Sequence, residues 1–486
     1  MTASVVFGEE AIAPAELERR AACAAAGLEQ AGVRKDDVVA LMLRNEPAYL
    51  EAMLGARRLG AYHCPINWHY KAEEAGFILS DSGAKVLVVD ADLLAQIDGG
   101  IPAGLQVISS EAWSSWRDAH APWRGDPPPP RSSMPYTSGT TGRPKGVRRQ
   151  PATDEQRRLA TELYRTVLGL EAGMRAFVSA PLYHSAPNLY ALQCAQLADL
   201  LVLEPRFDAE RTLALIERHR LSHLYLVPTM FVRLLRLPPD VKRRYDLSSV
   251  RFVSSTGSPC APDVKRAMIE WWGPVINESY AASELGHITF IDSRDWLAHP
   301  GSVGRVLGQG RLKILDESGR ELPPGQVGAI YCRQPAYPDF TYMNNPAARA
   351  ALERDGLWSV GDMGYLDEDG YLHVADRKSD MVISGGVNIY PAEIEAALLG
   401  LAGIADCAVF GIPDAEFGES LCAAVELAPD SDLSADEVRS FLKARIAGYK
   451  VPKLVTFHDR LPREESGKIF KRKLRDPYWQ GLGRRI

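Results

Sequence analysis

No cysteine pattern in this chain could build a framework. Its 486 residues include seven cysteines (Cys23, Cys64, Cys194, Cys260, Cys332, Cys407 and Cys422), an odd number, widely scattered and without a C-x-x-C pair. Their spacing therefore starts neither a zinc site nor a dithiol redox motif, and they are expected to be buried apolar thiols in a reducing compartment. Long hydrophobic runs are missing too. No window approaches the roughly 18 uncharged apolar residues that suit a bilayer span, and "MTASVVFGEEAIAPAELERR" has no basic start leading into an apolar stretch. The expectation is a cytoplasmic protein without an integral membrane segment. Nor is there an excess of positive charge: 56 Lys and Arg stand against 62 Asp and Glu, a net charge of -6. That leaves no electrostatic footprint for nucleic acid or anionic lipid.

What is present is a globular composition, 46% hydrophobic and 24% charged, in a chain too long for one ordinary core. Short β-rich runs alternate with helical patterns through the first two-thirds. "VVALML" precedes "EPAYLEAMLGARRLG", "KVLVVD" follows, and "HLYLVPTM" and "VRFVSSTG" continue the rhythm of βαβ units around a mainly parallel sheet. "GDPPPPRSS" (125–133) can be neither helix nor central strand, because consecutive prolines remove the amide donors both need. After residue 300 the texture becomes short strands and turns, with Asp369-Gly370 marking a hairpin. Pro391 can open a helix that ends near Gly400, and Ser434 with Glu437 forms a capping-box pattern. The expected fold class is α/β: a large N-terminal domain of mainly parallel sheets with helices plus a small β subdomain, then a small α+β C-terminal domain. The boundaries expected are 1–376, a break at 377–380, and 381–486.

The chemistry concentrates first in "MPYTSGTTGRPKGVRR" (134–149). Thr137, Ser138, Thr140 and Thr141 offer hydroxyls, Gly139 and Gly142 let backbone amides converge, and Lys145 adds a point charge, which is equipment for wrapping a polyphosphate. It is not a Walker A loop, since Pro144 stands where the second glycine would have to be. By composition alone a mobile Ser/Gly/Thr linker is the better reading of the stretch.

The order of its residues is more specific. "YTSGTTGRPKGV" resembles the phosphate-loop signature of the adenylate-forming superfamily, in particular the acyl-CoA synthetases, and further motifs follow in the family's order over nearly the whole chain. "APLYHSAPN" is similar to the segment beside the carboxylate pocket and implies a catalytic-site role for His184. "SSTGSPC" is similar to the turn against adenine, implying Gly257, Ser258 and Pro259. "NESYAASELG" resembles the Y-G-x-T-E motif, which implies Tyr280 at the adenine, Ser283 as the retained hydroxyl and Glu284 as the magnesium ligand; Ala281 replaces the usual glycine. In "WSVGDMGYLDEDGYLHVADRKSDMVISGGVNIYPAEIE", the resemblance implies Asp362 on the ribose hydroxyls and Arg377 on the nucleotide. It also implies Ser384, Gly385 and Gly386 beside the pantetheine of coenzyme A, with Ser379 at the usual pivot position and Asp380 next to it. Finally "PREESGKIFKRKLR" puts Lys468 at the family's catalytic lysine, followed by Lys471, Arg472, Lys473 and Arg475, most of them expected to be solvated or to meet the phosphates of coenzyme A.

The reaction so implied joins a small-molecule carboxylic acid to coenzyme A at the expense of ATP with Mg2+, through an acyl-adenylate, releasing AMP and pyrophosphate. The small domain is implied to rotate between the two steps. No Asp, Glu, Lys or Arg occurs from Ala176 to Ala198, and no aspartate stands in "PLYHSAPN" to hold an amino group, so a fatty, alicyclic or aromatic acid is expected rather than an amino acid. A run without charge also suits an ordinary buried strand and helix. The alternative readings are an acyl-adenylating enzyme that loads a separate carrier protein and, more remotely, a noncatalytic nucleotide-binding protein; a kinase-type NTPase is disfavoured by the failed Walker pattern. A homodimer is left open as the assembly.

Overall fold

The computed structural model describes residues 1–137, 144–258, 260–384, 387–429, 431–463 and 469–480. Two parallel sheets form the N-terminal part. The larger has seven strands in the order Ile276–Glu278, Phe252–Ser255, His223–Tyr225, Arg175–Val178, Leu200–Leu203, Ser4–Phe7 and Glu10–Ile12, and only the last pair is antiparallel. The smaller runs Tyr62–Pro65, Val38–Met42, Val86–Val89 and Gln106–Ser109, all parallel. Their central strands are near-continuous apolar runs because both faces are covered. Val39, Leu41, Val86 and Val88 of the smaller sheet share one core with Ala176, Val178, Leu201 and Leu203 of the larger, and the helices Pro14–Gln30 and Pro47–Arg58 contribute to that core.

Those two helices approach closely because their contact residues are small. A Cβ built on Gly55 would lie 3.0 Å from the Ala24 Cβ and 3.0 Å from the Ala25 nitrogen, so glycine sets the spacing there. An internal charge is held at the same layer. Glu51, 1% exposed, accepts from Trp113 Nε1 at 2.7 Å and Arg117 at 2.6 Å.

The expected β region beyond residue 300 is a six-stranded antiparallel sheet. Arg311–Leu315 pairs with Gly328–Arg333, and Asp362–Leu366 turns back into Leu372–Arg377 through the Asp369-Gly370 turn, with Gly370 at φ +79°. The C-terminal part has its own core beneath a five-stranded sheet, built by Val409, Leu421, Val425, Ile394 and Leu442 among others. Its helices start where the sequence marks them: Pro391–Leu399 ends at Gly400, and Ser434 and Glu437 make the reciprocal capping bonds of Ala435–Lys443. The 125–132 stretch forms neither helix nor strand. Six cysteines are buried, Cys260 is half-buried, and all seven are free thiols. No helix among the described residues is long and apolar enough to cross a membrane.

Burial of three histidines makes stability pH-dependent. Burial is the main cause that pulls His63, His223 and His287 from the ordinary 6.5 down to about 4. Folded values below the unfolded one mean that the unfolded chain takes up protons first on acidification. Their stabilising contribution is complete above about pH 6.5 and is lost as pH falls toward 4, at up to about 1.4 kcal/mol per pH unit for each. Urea midpoints should fall steadily from about pH 7 to about pH 5, and His287→Gln should flatten that slope. A slope unchanged in the variant would count against the buried neutral imidazole as its source.

Candidate active site

Parallel strands deliver the site. Arg175–Val178, His223–Tyr225, Phe252–Ser255 and Ile276–Glu278 lie side by side, and the residues just past their carboxyl ends (Ser179, Val227, Thr256 and Ser279) line one continuous cavity of about 3470 Å³. The chain reverses sheet direction around Arg175–Val178: Leu200–Leu203 lies on one side of it and His223–Tyr225 on the other. Such a switch point is where open α/β sheets bind ligands.

Each expected residue can now be located. Thr137 ends the strand Tyr136–Thr137 and pairs directly with Lys145 of Lys145–Arg149, so the two ends of the phosphate-loop signature are held together at its base. Ser138, Gly139, Thr140 and Thr141 lie outside the described residues, as do Pro259, Gly385, Gly386 and Lys468. Gly257 and Ser258 line the cavity, and Gly257 has φ +95°, a conformation that side-chain-bearing residues rarely adopt. Arg463 and Ile469, on either side of the 464–468 segment, pair in a β-bridge and both line the cavity.

Glu284 is not at a helix start. It sits in the turn between the short paired strands Ala281–Ala282 and Gly286–His287. Its Oε1 accepts hydrogen bonds from Thr137 Oγ1 at 2.9 Å and Tyr342 Oη at 3.0 Å, while Oε2 makes none to any described residue. A carboxylate fixed by one oxygen, with its other oxygen at a cavity, fits a hard divalent cation such as Mg2+. Among the described residues no three His, Cys, Asp or Glu side chains cluster, so a cation here would be completed by oxygens of its ligand. Lys145 Nζ lies 5.3 Å above the ring of Tyr342, the tyrosine whose hydroxyl donates to Glu284.

At the other end Tyr280 donates to Asp362 Oδ2 at 2.6 Å, and Arg377 Nε lies 3.5 Å from Asp362 Oδ1. Burial, reinforced by Asp362, holds the Tyr280 phenol well above its ordinary value, so it remains a donor. His184 lines the cavity as the residue preceding the helix Ser185–Leu197, with its ring 4.4 Å from that of Tyr183. The Ser283 hydroxyl meets that of Ser185 at 2.5 Å, joining this helix to the Glu284 turn. Ser384 is the exception. It pairs with Gly418 in the C-terminal sheet and does not line the cavity.

The helix Ser185–Leu197 resolves the uncharged run: Tyr190, Ala191 and Cys194 are buried in the core, while Ser185, Leu189 and Gln193 line the cavity. The buried face accounts for the run as ordinary core, and the other face borders the cavity. In the basic tail Lys471 is held by an ion pair. It is partly buried and ion-paired with Glu395 at 2.8 Å; burial would pull it down, but Glu395, Asp376 and Asp380 together hold it above the ordinary lysine value. Three residues escaped the sequence reading. Tyr342 lies 58 residues from Glu284 and carries no local signal. Glu278 lines the cavity and is paired at 2.8 Å with Lys265, itself 1% exposed; only its place two residues before Tyr280 hinted at it. Arg149, third in "VRR", is buried against the Glu284 turn.

Comparison with known proteins agrees with this geometry. Residues 2–337 match the family described as AMP-binding enzyme, and residues 393–468 match the AMP-binding enzyme C-terminal domain. A feruloyl-CoA synthase of Amycolatopsis sp is 36% identical, over 97% of this chain and 95% of its own length. An indoleacetate--CoA ligase of Aromatoleum aromaticum is 34% identical, over 96% and 93%. The solved o-succinylbenzoate CoA synthetase of Bacillus subtilis, in complex with the acyl-adenylate intermediate OSB-AMP, superposes with a TM-score of 0.82 at 28% identity, covering 97% of this chain and 95% of that one. The chain belongs to the AMP-binding, adenylate-forming enzyme family. Within that family it is an AMP-forming acid–CoA ligase.

The two hydroxyls on Glu284 make a direct test. Tyr342→Phe keeps the ring under Lys145 and removes only the donor; if Mg2+ is held at Glu284, the Mg2+ concentration giving half-maximal rate should rise about tenfold, the equivalent of one hydrogen bond to a charged group at about 1.5 kcal/mol. Thr137→Val should do the same. An unchanged Mg2+ dependence in both would remove Glu284 from the metal's reach.

Proposed function

We propose that this chain converts a carboxylic acid, ATP and coenzyme A to acyl-CoA, AMP and pyrophosphate in two steps within the cavity described above. The observation that carries the residue roles is the convergence of Thr137, Lys145, Glu284, Tyr280 and Asp362 on one cavity from strands far apart in sequence. In the first step a carboxylate oxygen bonds to the α-phosphorus and the bond to pyrophosphate breaks. The acid is already ionised at neutral pH, so no general base is required. The protein's task is positioning and charge stabilisation. Thr137 and the 138–141 hydroxyls with Lys145 hold the phosphates, Asp362 and Arg377 take the ribose side, and Gly257, Ser258 and Tyr280 flank the base. Mg2+ bound at Glu284 would offset charge on the phosphates. Lys468 is assigned the charge that moves between carboxylate and α-phosphate, and His184 the wall beside the carboxylate. In the second step the thiol sulfur of coenzyme A bonds to the acyl carbon, AMP leaves, and the thiol proton passes to solvent.

The boundaries proposed are 1–376 for the nucleotide- and acid-binding part, 377–380 for a hinge and 381–486 for a lid. Rotation about 377–380 between the steps would bring Ser384, Gly385 and Gly386 to the thiol path. The separation of Ser384 from the cavity supports an arrangement that precedes the second step. Free buried thiols support a reducing compartment, and we assign the cytoplasm. An acid with an aromatic or alicyclic body fits the apolar face offered by Leu189, Leu192 and Val227, and the relatives named for ferulate and indoleacetate support the aromatic choice.

With Mg-ATP and a panel of aromatic, alicyclic and fatty acids, pyrophosphate should be released, and adding coenzyme A should yield AMP and a thioester detectable by mass spectrometry. ADP and orthophosphate instead would overturn the reading, and adenylation without any thioester would favour a carrier protein as acceptor. Lys468→Ala should reduce adenylation by about a thousandfold while sparing most thioester formation from supplied acyl-adenylate. Equal losses in both half-reactions would show that the lysine acts elsewhere.

A further inference from the structure

Two arginines of the cavity lining form no ion pair at contact distance with a described carboxylate, although Glu284 and Asp339 act on one of them, Arg149, from further away. Arg57, on the helix Pro47–Arg58, and Arg149, at the end of Lys145–Arg149, both line one arm of the cavity, together with Ser132, Tyr164 and Asn188. Arg57, half-buried, makes one hydrogen bond, to the Arg131 carbonyl at 2.8 Å. Arg149, 9% exposed, makes two, to the carbonyls of Pro338 at 3.0 Å and Ser283 at 2.8 Å, and its guanidinium lies 5.4 Å above the Tyr337 ring. Neither forms an ion pair with a described carboxylate. The Tyr337 ring under Arg149 lies 6.2 Å from that of Tyr164, and both arginines act electrostatically on the Tyr164 hydroxyl. The Ser132 hydroxyl is buried and makes no hydrogen bond to a described group.

Buried charges in proteins are paired as a rule, because an uncompensated one costs several kcal/mol. This molecule follows that rule elsewhere: Lys265 meets Glu278, and Arg117 meets Glu51, both at normal contact distance. Burial lowers Arg57 only to about 10, so it stays charged at neutral pH, and Arg149 is lowered for the same reason. Two guanidiniums that keep most of their donors unused are a poor structural device for holding a few carbonyls, since a lysine or glutamine could do that at lower desolvation cost. Their forked geometry suits an oxyanion.

We propose that the arm between Arg57 and Arg149 is an oxyanion site for one of the co-substrates, either the distal carboxylate of a dicarboxylic acid or a phosphate of coenzyme A. This rests on the ligase reading above. Arg149 holds the carbonyl of Ser283, whose hydroxyl meets Ser185 at the start of the acid-side helix, so the arm adjoins the acid pocket directly. The carboxylate source predicts an acid with one carboxylate to be activated beside Glu284 and a second to be bound by the arginines.

Adenylation measured without coenzyme A separates the sources. Linear α,ω-dicarboxylic acids and benzene dicarboxylates would each be compared with their monomethyl esters by pyrophosphate release, in the wild type, Arg57→Met and Arg57→Lys. If the distal carboxylate binds here, the wild type favours at least one diacid over its ester, and Arg57→Met lowers that kcat/KM ratio about thirtyfold or more, with partial recovery in Arg57→Lys. If a phosphate binds here, the ratio stays constant, and Arg57→Met instead raises the KM for coenzyme A in the second step by a similar factor. A variant that changes neither the ratio nor the KM for coenzyme A overturns the site. Should Arg57→Met fold poorly, calorimetric titration of the wild type with the diacids and their esters gives the same comparison, and equal affinities together with an unchanged KM for coenzyme A in Arg57→Lys overturn the site. Failure of every acid to release pyrophosphate would sink the ligase reading itself, a different outcome from acids that react without regard to Arg57.

Discussion

The carboxylate of Glu284 is the point through which the site is assembled. One of its oxygens accepts from Thr137 and from Tyr342, residues 147 positions before it and 58 after it. Thr137 anchors the base of the phosphate loop, and Tyr342 belongs to a strand that pairs with Lys145–Arg149 on the loop's far side. A single charged group therefore ties the loop, the short hairpin 281–287 and the three-stranded sheet to one another. Charge-assisted bonds are stronger than neutral ones, and here they also leave the second oxygen uncommitted.

The parallel sheet makes that assembly possible. Adjacent parallel strands end at the same edge, so the chain must leave every strand at one crevice, and its polar connections collect there while the strands themselves stay apolar. Thr256 to Ser258 and Ser279 to Glu284 are such connections. The helix Ser185–Leu197 closes the crevice with one apolar face in the core and another toward the cavity. It has no charged residue, with one face packed against protein and the other bordering the cavity.

The C-terminal part contributes through electrostatics across the break rather than through a shared core. Its hydrophobic cluster is separate. Lys471, ion-paired with Glu395, feels the charge of Asp376 across the break, Arg475 bonds to the Ser379 carbonyl, and Arg236 of the large part bonds to the Ala405 carbonyl. Polar contacts of this kind can be exchanged for others at modest cost, whereas a continuous apolar interface could not.

The sequence alone determined the elements whose cause is local: Pro391 and Gly400 bounding a helix, Ser434 with Glu437 capping another, Asp369-Gly370 turning a hairpin, and alternating βα texture implying parallel sheets. It also picked out residues that line the cavity, since Thr137, Lys145, Gly257, Tyr280, Glu284 and Asp362 sit in motifs of recognisable order. Tertiary structure decided what depends on distant residues meeting. Tyr342 as a partner of Glu284, Lys265 beneath Glu278, the ion pair of Lys471 with Glu395 and the absence of an ion pair at Arg57 and Arg149 have no signature within their own segments. The reason is physical: backbone geometry answers to near neighbours in sequence, whereas the compensation of a buried charge depends on whichever group the fold brings within a few ångströms of it.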